Sequence, residues 1–200
     1  MAELVHFDKL RERNLVAYHL VPGQSVIIGA ETLVAELSDK FPRFQCVKPF
    51  HPFVVPPGSM WFAVSLRSFR LDLGYHEILP YHLENWPDQT FQLGLNCSMQ
   101  LHVAHLSGLV KCIRDRPILD EMELRRVVRE STVQVIRNVI NRSGLLQLEY
   151  SQWTKEKRSI EQLAEHQLFP LLYDSGLCMS HKSFLIHSFA KPSIKIDNWG

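Results

Sequence analysis

The stretch "FQLGLNCSMQLHV", residues 91–103, alternates apolar and polar side chains without a break. Phe91, Leu93, Leu95, Cys97, Met99, Leu101 and Val103 share one parity. Gln92, Gly94, Asn96, Ser98, Gln100 and His102 share the other. Successive side chains of a strand point to opposite faces, so this pattern predicts a strand with one buried and one polar face. Such strands belong to antiparallel sheets covered on one side. The fold class therefore depends on what supplies the cover.

Working upstream, "MWFAVSLRSFRLDL" (60–73) alternates at Phe62, Val64 and Leu66, then at Phe69, Leu71 and Leu73. The slip near Ser68 reads as a bulge or a change of face. "NLVAYHLVPGQSVIIGA" (14–30) carries apolar runs on both sides of Pro22-Gly23. Pro presets the first central φ of a turn and Gly accepts a positive one. Val26-Ile27-Ile28 is strand-like by its β-branching. "ETLVAELSDKF" (31–41) predicts one short helix from Leu33, Val34 and Leu37. "GYHEILPYHLENWPDQT" (74–90) predicts a connection with a tight turn at Pro87-Asp88.

Downstream the period changes from 2 to 3.6. Asp120 with Glu123 resembles a capping box opening a helix over 120–144. Its stripe is Leu124, Val127, Val128, Val135, Ile136, Val139 and Ile140, and Gly144 ends it. A second helix is predicted from about Ser151 or Thr154 to about Ser175, ended by Gly176. Its stripe is Ile160, Leu163, Ala164, Leu168, Leu171 and Leu172, with Pro170 expected to kink or split it. A last strand is predicted in 177–189, with Phe184 and Ile186 opposite Leu185 and His187. Strands followed by helix–helix–strand give an α+β fold, with helices covering a mostly antiparallel sheet. The predicted domain spans 21–190, β-rich over 21–115 and helical over 120–190, between an N-terminal segment (1–20) and a tail (191–200).

Composition narrows the function classes. Of 200 residues, 46% are hydrophobic and 22% charged, which suits a chain that buries a core. Net charge is +1, from 22 basic and 21 acidic residues. Arg125, Arg129 and Arg137 share a helix face, yet Glu121, Glu123 and Glu130 intersperse them. Mixed charge of this kind reads as a solvated face, so nucleic acid is not an expected partner. No apolar run reaches the roughly 18 residues of a membrane span. The N-terminus lacks the apolar core of a secretory signal, so a cytoplasmic chain, free or on the cytosolic side of a membrane, is expected. Cys46, Cys97, Cys112 and Cys178 are widely spaced and read as reduced, mostly buried thiols.

No catalytic signature is present: there is no G-x-S-x-G elbow, no P-loop and no G-x-G-x-x-G. Cys97, His102, His105 and Cys112 hold the ligand types of a zinc site. Cys97 and His102, however, have opposite parity on the predicted strand and point to opposite faces. No metal, cofactor or enzyme activity is therefore expected. The ten histidines read as scattered, although His76 with His82 and His181 with His187 lie close in sequence.

One stretch resists this accounting. "KPFHPFVVPPGSMWFAV" (48–64) packs four prolines among apolar residues. Residues 59–64 are expected to enter the sheet after a turn at Pro56-Pro57-Gly58. Residues 49–55 are the lipid-facing candidate. Phe50, Phe53, Val54, Val55 and Trp61 are the membrane-contact candidates, as aromatic and aliphatic side chains suit the bilayer interface. A pocket is the least supported reading, since only Lys48, His51 and Ser59 bring polar chemistry.

The order of these pieces resembles the SPFH domain, also called Band 7 or prohibitin-homology, shared by stomatins, prohibitins and flotillins. "VPGQSVIIG" (21–29) resembles its opening strand. "FVVPPGSMWFAVSLRSFRLDL" (53–73) resembles a strand ending in a basic–aromatic stretch. "NWPDQTFQLGLNCSMQLHV" (85–103) resembles the T-x-D-G turn and long strand, with Pro87-Asp88-Gln89-Thr90 only approximating the turn. "ELRRVVRESTVQVIRNVINRSGLLQL" (123–148) resembles the helix of the second subdomain. "KEKRSIEQLAEHQLFPLLYDSGLCMSHKSFLIHSF" (155–189) resembles the helix, its Gly176-Leu177 exit and the closing strand. The resemblance covers roughly 21–190 and rests on apolar spacing and order. It implies a non-catalytic scaffold with peripheral membrane association on the cytosolic face, through apolar loops of the first subdomain. It also implies self-association and regulation of a membrane partner such as an AAA protease or a channel. No anchoring segment or cysteine precedes Cys46, and no heptads follow the helices. The alternative is a soluble α+β enzyme or ligand-binding domain with a pocket between sheet and helices.

Overall fold

Residues 5–6, 15–37, 42–45, 47–74, 78–83, 86–113, 118–142, 152–189 and 193–194 are described by the computed structural model. Strands β1 (Val5–His6) and β2 (Leu15–Leu20) precede the Pro22-Gly23 turn. Then come β3 (Ser25–Ile27), β4 (Thr32–Leu37), β5 (Pro42–Gln45), β6 (Pro52–Val54) and β7 (Met60–Ser65). β8 (Phe69–Leu73), β9 (Ile78–Leu83) and β10 (Trp86–Val103) follow. After these lie helix α1 (Leu106–Ile113), β11 (Ile118–Asp120), α2 (Glu121–Arg142) and α3 (Trp153–Asp174). β12 (Leu177–Met179), β13 (Leu185–Phe189) and β14 (Ser193–Ile194) complete the order. Helices combined with largely antiparallel sheets make this an α+β fold, as the change of period predicts.

The chain forms two compact units, each drawn from separated stretches. The first comprises Met1–Phe69, Leu101–Val127 and Leu172–Cys178; the second comprises Arg70–Gln100, Val128–Leu171 and Met179–Gly200. The expected boundary at 115–120 falls inside the first unit. The segment 1–20, read as separate, supplies β2, which lies between β11 and β7 in a five-stranded sheet ordered β11-β2-β7-β4-β5.

In the first unit the Pro22-Gly23 turn forms as predicted. Gln24 N–H donates to Val21 O at 3.1 Å and Gly23 takes φ 79, the positive value a type II turn needs at that place. Of the predicted helix over 31–41, Thr32–Leu37 is instead β4, and 38–41 lie outside the described residues. β4 pairs with β7 from Thr32↔Ser65 to Leu37↔Met60 and with β5 from Val34↔Gln45 to Leu37↔Pro42. Leu33, Val34 and Leu37 fit a helical stripe, but partners on both edges override that local preference. β7 also departs from simple alternation. Trp61, Phe62, Ala63 and Val64 are all buried, because β7 is central in its sheet. The slip near Ser68 is a break between β7 and β8.

α1, which the sequence reading leaves unassigned, packs tightly. A Cβ on Gly108 would lie 2.2 Å from Gly176 N, and one on Gly176 would lie 2.3 Å from Leu109 N. Only two residues without side chains bring these backbones so close. Ala104 N–H donates to Gly176 O at 2.9 Å, and Gly176 N–H donates to Tyr173 O at 2.8 Å, closing the end of α3.

In the second unit β10 is the long strand predicted from 91–103, extended back to Trp86. The expected turn at Pro87-Asp88 lies inside it, where the register with β9 shifts between Trp86 and Thr90. Proline is tolerated in a strand at such an irregularity, where no ladder amide is needed. Leu95, Cys97 and Met99 are buried as predicted, and so is Leu101 where β10 enters the first unit. The opposite parity is less exposed than expected, since Ser98 is also buried. α2 begins in the first unit, where Glu123 N–H donates to Asp120 Oδ1 at 2.7 Å and gives it its predicted cap. Its stripe is buried at Leu124, Val128, Val135, Ile136, Val139 and Ile140. α3 runs through Pro170 as one helix, anchored by buried Ile160, Ala164, Leu168 and Leu172. Leu163 and Leu171, assigned to the same stripe, are exposed. The predicted last strand is two, β12 and β13, joined by a turn with Lys182 at φ 57. Cys46, His76 and Gly144 lie outside the described residues, as do the side chains of His82, Phe91, Leu93 and Cys112.

Gly108→Ala and Gly176→Ala should each lower the unfolding free energy by more than about 2 kcal/mol. Gly23→Ala meets no atom within 4 Å. It should cost only the backbone penalty of about 1–2 kcal/mol. Urea denaturation of the three variants tests this order; equal losses would mean that close packing at α1 is not what the glycines serve.

Candidate functional site

Glu161 and Glu165 stand four residues apart and so share one face of α3. The two carboxylates bind the chain around β13. Ile186 N–H donates to Glu161 Oε1 at 2.7 Å, and Lys182 N–H donates to Glu165 Oε1 at 2.8 Å. Bonds from amides to an ionised carboxylate are among the stronger ones a protein makes. The second bond also offsets the left-handed backbone of Lys182, which costs a residue with a Cβ about 1–2 kcal/mol. Both carboxylates are sunk, with side chains only 15% and 20% exposed. Lys157 Nζ lies 3.8 Å from Glu161 Oε1, and His181 Nδ1 lies 3.4 Å from Glu165 Oε1.

Beside this lattice runs an open groove of about 520 Å³ between α3 and the β13 segment. Phe184 is fully buried at its base, while Phe169 and Leu185 are 47% and 46% exposed along it. Arg158, Gln162, His166, His181 and Lys182 supply the exposed polar lining. The groove thus combines an apolar strip with two exposed cations, Arg158 and Lys182.

A second polar cluster lies on the same unit. β13 slips one residue against β10, from Asn96↔Ser188 to Cys97↔Ile186, which leaves His187 as the bulged residue. His187 Nε2 is 2.8 Å from Ser98 Oγ and 3.3 Å from Arg70 Nη2. Arginine only donates, so Nε2 accepts from both Arg70 and the Ser98 hydroxyl. Arg70 Nε in turn donates to Asp72 Oδ1 at 2.9 Å. A nucleophilic serine needs an undivided base and access to substrate. Here Arg70 shares the nitrogen and Ser98 is buried, so the cluster fixes the bulge.

Of the residues singled out by sequence, His105 lies in the first unit and Cys97 in the second. His105 Nε2 donates to Tyr173 O at 2.6 Å, while Nδ1 accepts from Ser107 at 2.8 Å and from Gly108 N–H at 3.2 Å. Both ring nitrogens therefore serve the α1–α3 junction of the first unit. Cys97 is buried in the second unit's core and Cys178 is half-buried. Among the described residues no group of three His, Cys, Asp or Glu comes together to hold a metal ion.

The five membrane-contact candidates divide in the same way. β6 pairs with β3 from Ser25↔Val54 to Ile27↔Pro52, so alternation turns Phe53 and Val55 inward. Val55 and Trp61 are core residues with Leu20, Val26 and Val34, which removes both from the surface. Phe53 packs edge-to-face on Trp61 at 5.7 Å between ring centres. Phe50 and Val54 remain exposed. Among the described residues no helix is long and apolar enough to cross a membrane.

No protein-family model matches this chain, and no curated protein matches it. The groove itself was not legible in the sequence. Glu161 reads there as one more charge on a mixed helix face, and nothing local marks the amides it binds.

Glu161→Ala leaves the Ile186 amide without its acceptor and should cost about 1–2 kcal/mol. Glu161→Gln keeps a carbonyl acceptor and should recover most of it. Equal losses in urea denaturation would assign the effect to charge instead. Phe50→Asp should leave stability within about 0.5 kcal/mol, whereas Phe53→Asp should cost several times that. Thermal unfolding of the two separates surface from core.

Proposed function

We propose that this chain is a non-catalytic scaffold and interaction module of the SPFH type, stomatin- or prohibitin-like. It associates peripherally with the cytosolic face of a membrane, self-assembles, and regulates a membrane protein such as a protease or channel. The observation that carries the reading is the order of elements. Short strands lead into one long strand; after α1 and β11 come two 22-residue helices and a Gly176-Leu177 exit into β12 and β13. Phe50 and Val54 are exposed, and the resemblance puts lipid contact in apolar loops of the first subdomain.

A second reading is favoured by one observation, the groove between α3 and β13. Its volume lies within the roughly 300–1,000 Å³ of ligand sites, and it sits between a helix and a sheet as a ligand-binding α+β domain requires. The two readings part on assembly and lipid.

Flotation with liposomes, paired with size-exclusion light scattering, decides between them. The scaffold reading predicts assemblies larger than a monomer and flotation that Phe50→Asp with Val54→Asp abolishes. A monomer that ignores lipid and takes up a small ligand contradicts it.

A further inference from the structure

We propose that the α3–β13 groove docks an acidic peptide segment of a partner protein, anchored by one aromatic or leucine side chain. The inference deepens the interaction-module reading and rests on it. The argument begins with where the charges point. The groove's two carboxylates are turned inward: Glu161 and Glu165 each spend an oxygen on a backbone amide and are largely buried. Lys157 Nζ and His181 Nδ1 lie within 4 Å of the same oxygens, at 3.8 and 3.4 Å. Arg158 and Lys182 are left exposed, and neither side chain has a partner among the described residues. The exposed charges that line the groove are therefore the positive ones of Arg158 and Lys182, even though the sequence around it is charge-balanced. A facing carboxylate is the complement that this arrangement favours in both rate of encounter and orientation.

The apolar strip sets the second requirement. Phe169 and Leu185 stand about half-exposed on opposite walls, Phe169 from α3 and Leu185 from β13. A single aromatic or leucine side chain laid between them would bury both, and such central apolar anchors carry most of the energy of small interfaces. A peptide fits better than an added strand. β13 is an edge strand among the described residues, yet its Ile186 amide is already taken by Glu161. Pairing by backbone is thus blocked at that position, and side-chain recognition is what remains.

The test is selection from a phage pool of short random peptides against the full chain, with the enriched peptides synthesised and measured by fluorescence anisotropy. The expected peptides are acidic and carry one Phe, Trp or Leu. Arg158→Glu combined with Lys182→Asn, chosen because Asn tolerates the left-handed backbone, should weaken them at least roughly tenfold. Phe169→Ser should do the same, and Phe50→Asp should not. Raising salt to about 0.5 M should weaken binding severalfold. Enrichment of basic or uncharged peptides, no enrichment, or peptides indifferent to the groove substitutions overturns the proposal. So does binding to phosphatidylglycerol vesicles that the same substitutions abolish when no peptide is enriched, which would assign the groove to lipid headgroups. Loss of peptide binding by the groove variants alongside intact assembly and flotation isolates the docking site. Failure of the unsubstituted chain to assemble or float overturns the scaffold reading instead.

Discussion

Backbone pairing to one strand, β10, ties together strands from before and after it in the chain. β8, β9, β12, β13 and β14 all hydrogen-bond to β10. A strand that serves so many partners cannot keep one perfect ladder, and its register slips against β9 and again against β13. Each slip has a local consequence. The first admits Pro87 to a strand, and the second pushes out His187, which Ser98 and Arg70 then hold.

β13 gains one neighbour from this arrangement and leaves its other side to be managed. An open strand edge is a template for unwanted pairing. α3 meets it with carboxylates in place of another strand: Glu161 and Glu165 take amides from Ile186 and Lys182. Leaving such an amide unmet in a half-buried place costs about 1–3 kcal/mol, so the carboxylates stabilise the segment while they mask it. The same bonds decide the character of the groove. With the negative groups turned inward, the positive and apolar ones are what the surface presents.

Periodicity made the frame legible. The strand at 95–101, the two long helices and the Asp120 cap all followed from spacing within one segment. Failures came where a distant partner outvoted local preference. Thr32–Leu37 has helical spacing but gains β5 and β7 as neighbours. Val55 and Trp61 look like interfacial residues, yet alternation against β3 and a central place for β7 bury them. Pro87-Asp88 looks like a turn and lies inside a strand. The groove was out of reach for the same reason. Its decisive bonds join side chains to amides more than fifteen residues away in sequence.

The measurement closest to the centre of this account is residue-resolved amide hydrogen exchange at Ile186 and Lys182. If Glu161 and Glu165 hold those amides, both should exchange slowly, with protection comparable to that of amides inside β10, although one lies on a strand edge and the other in a turn. Exchange at the rate of an unstructured chain would mean that the carboxylates do not bind the segment. The groove built on them would then not exist in solution.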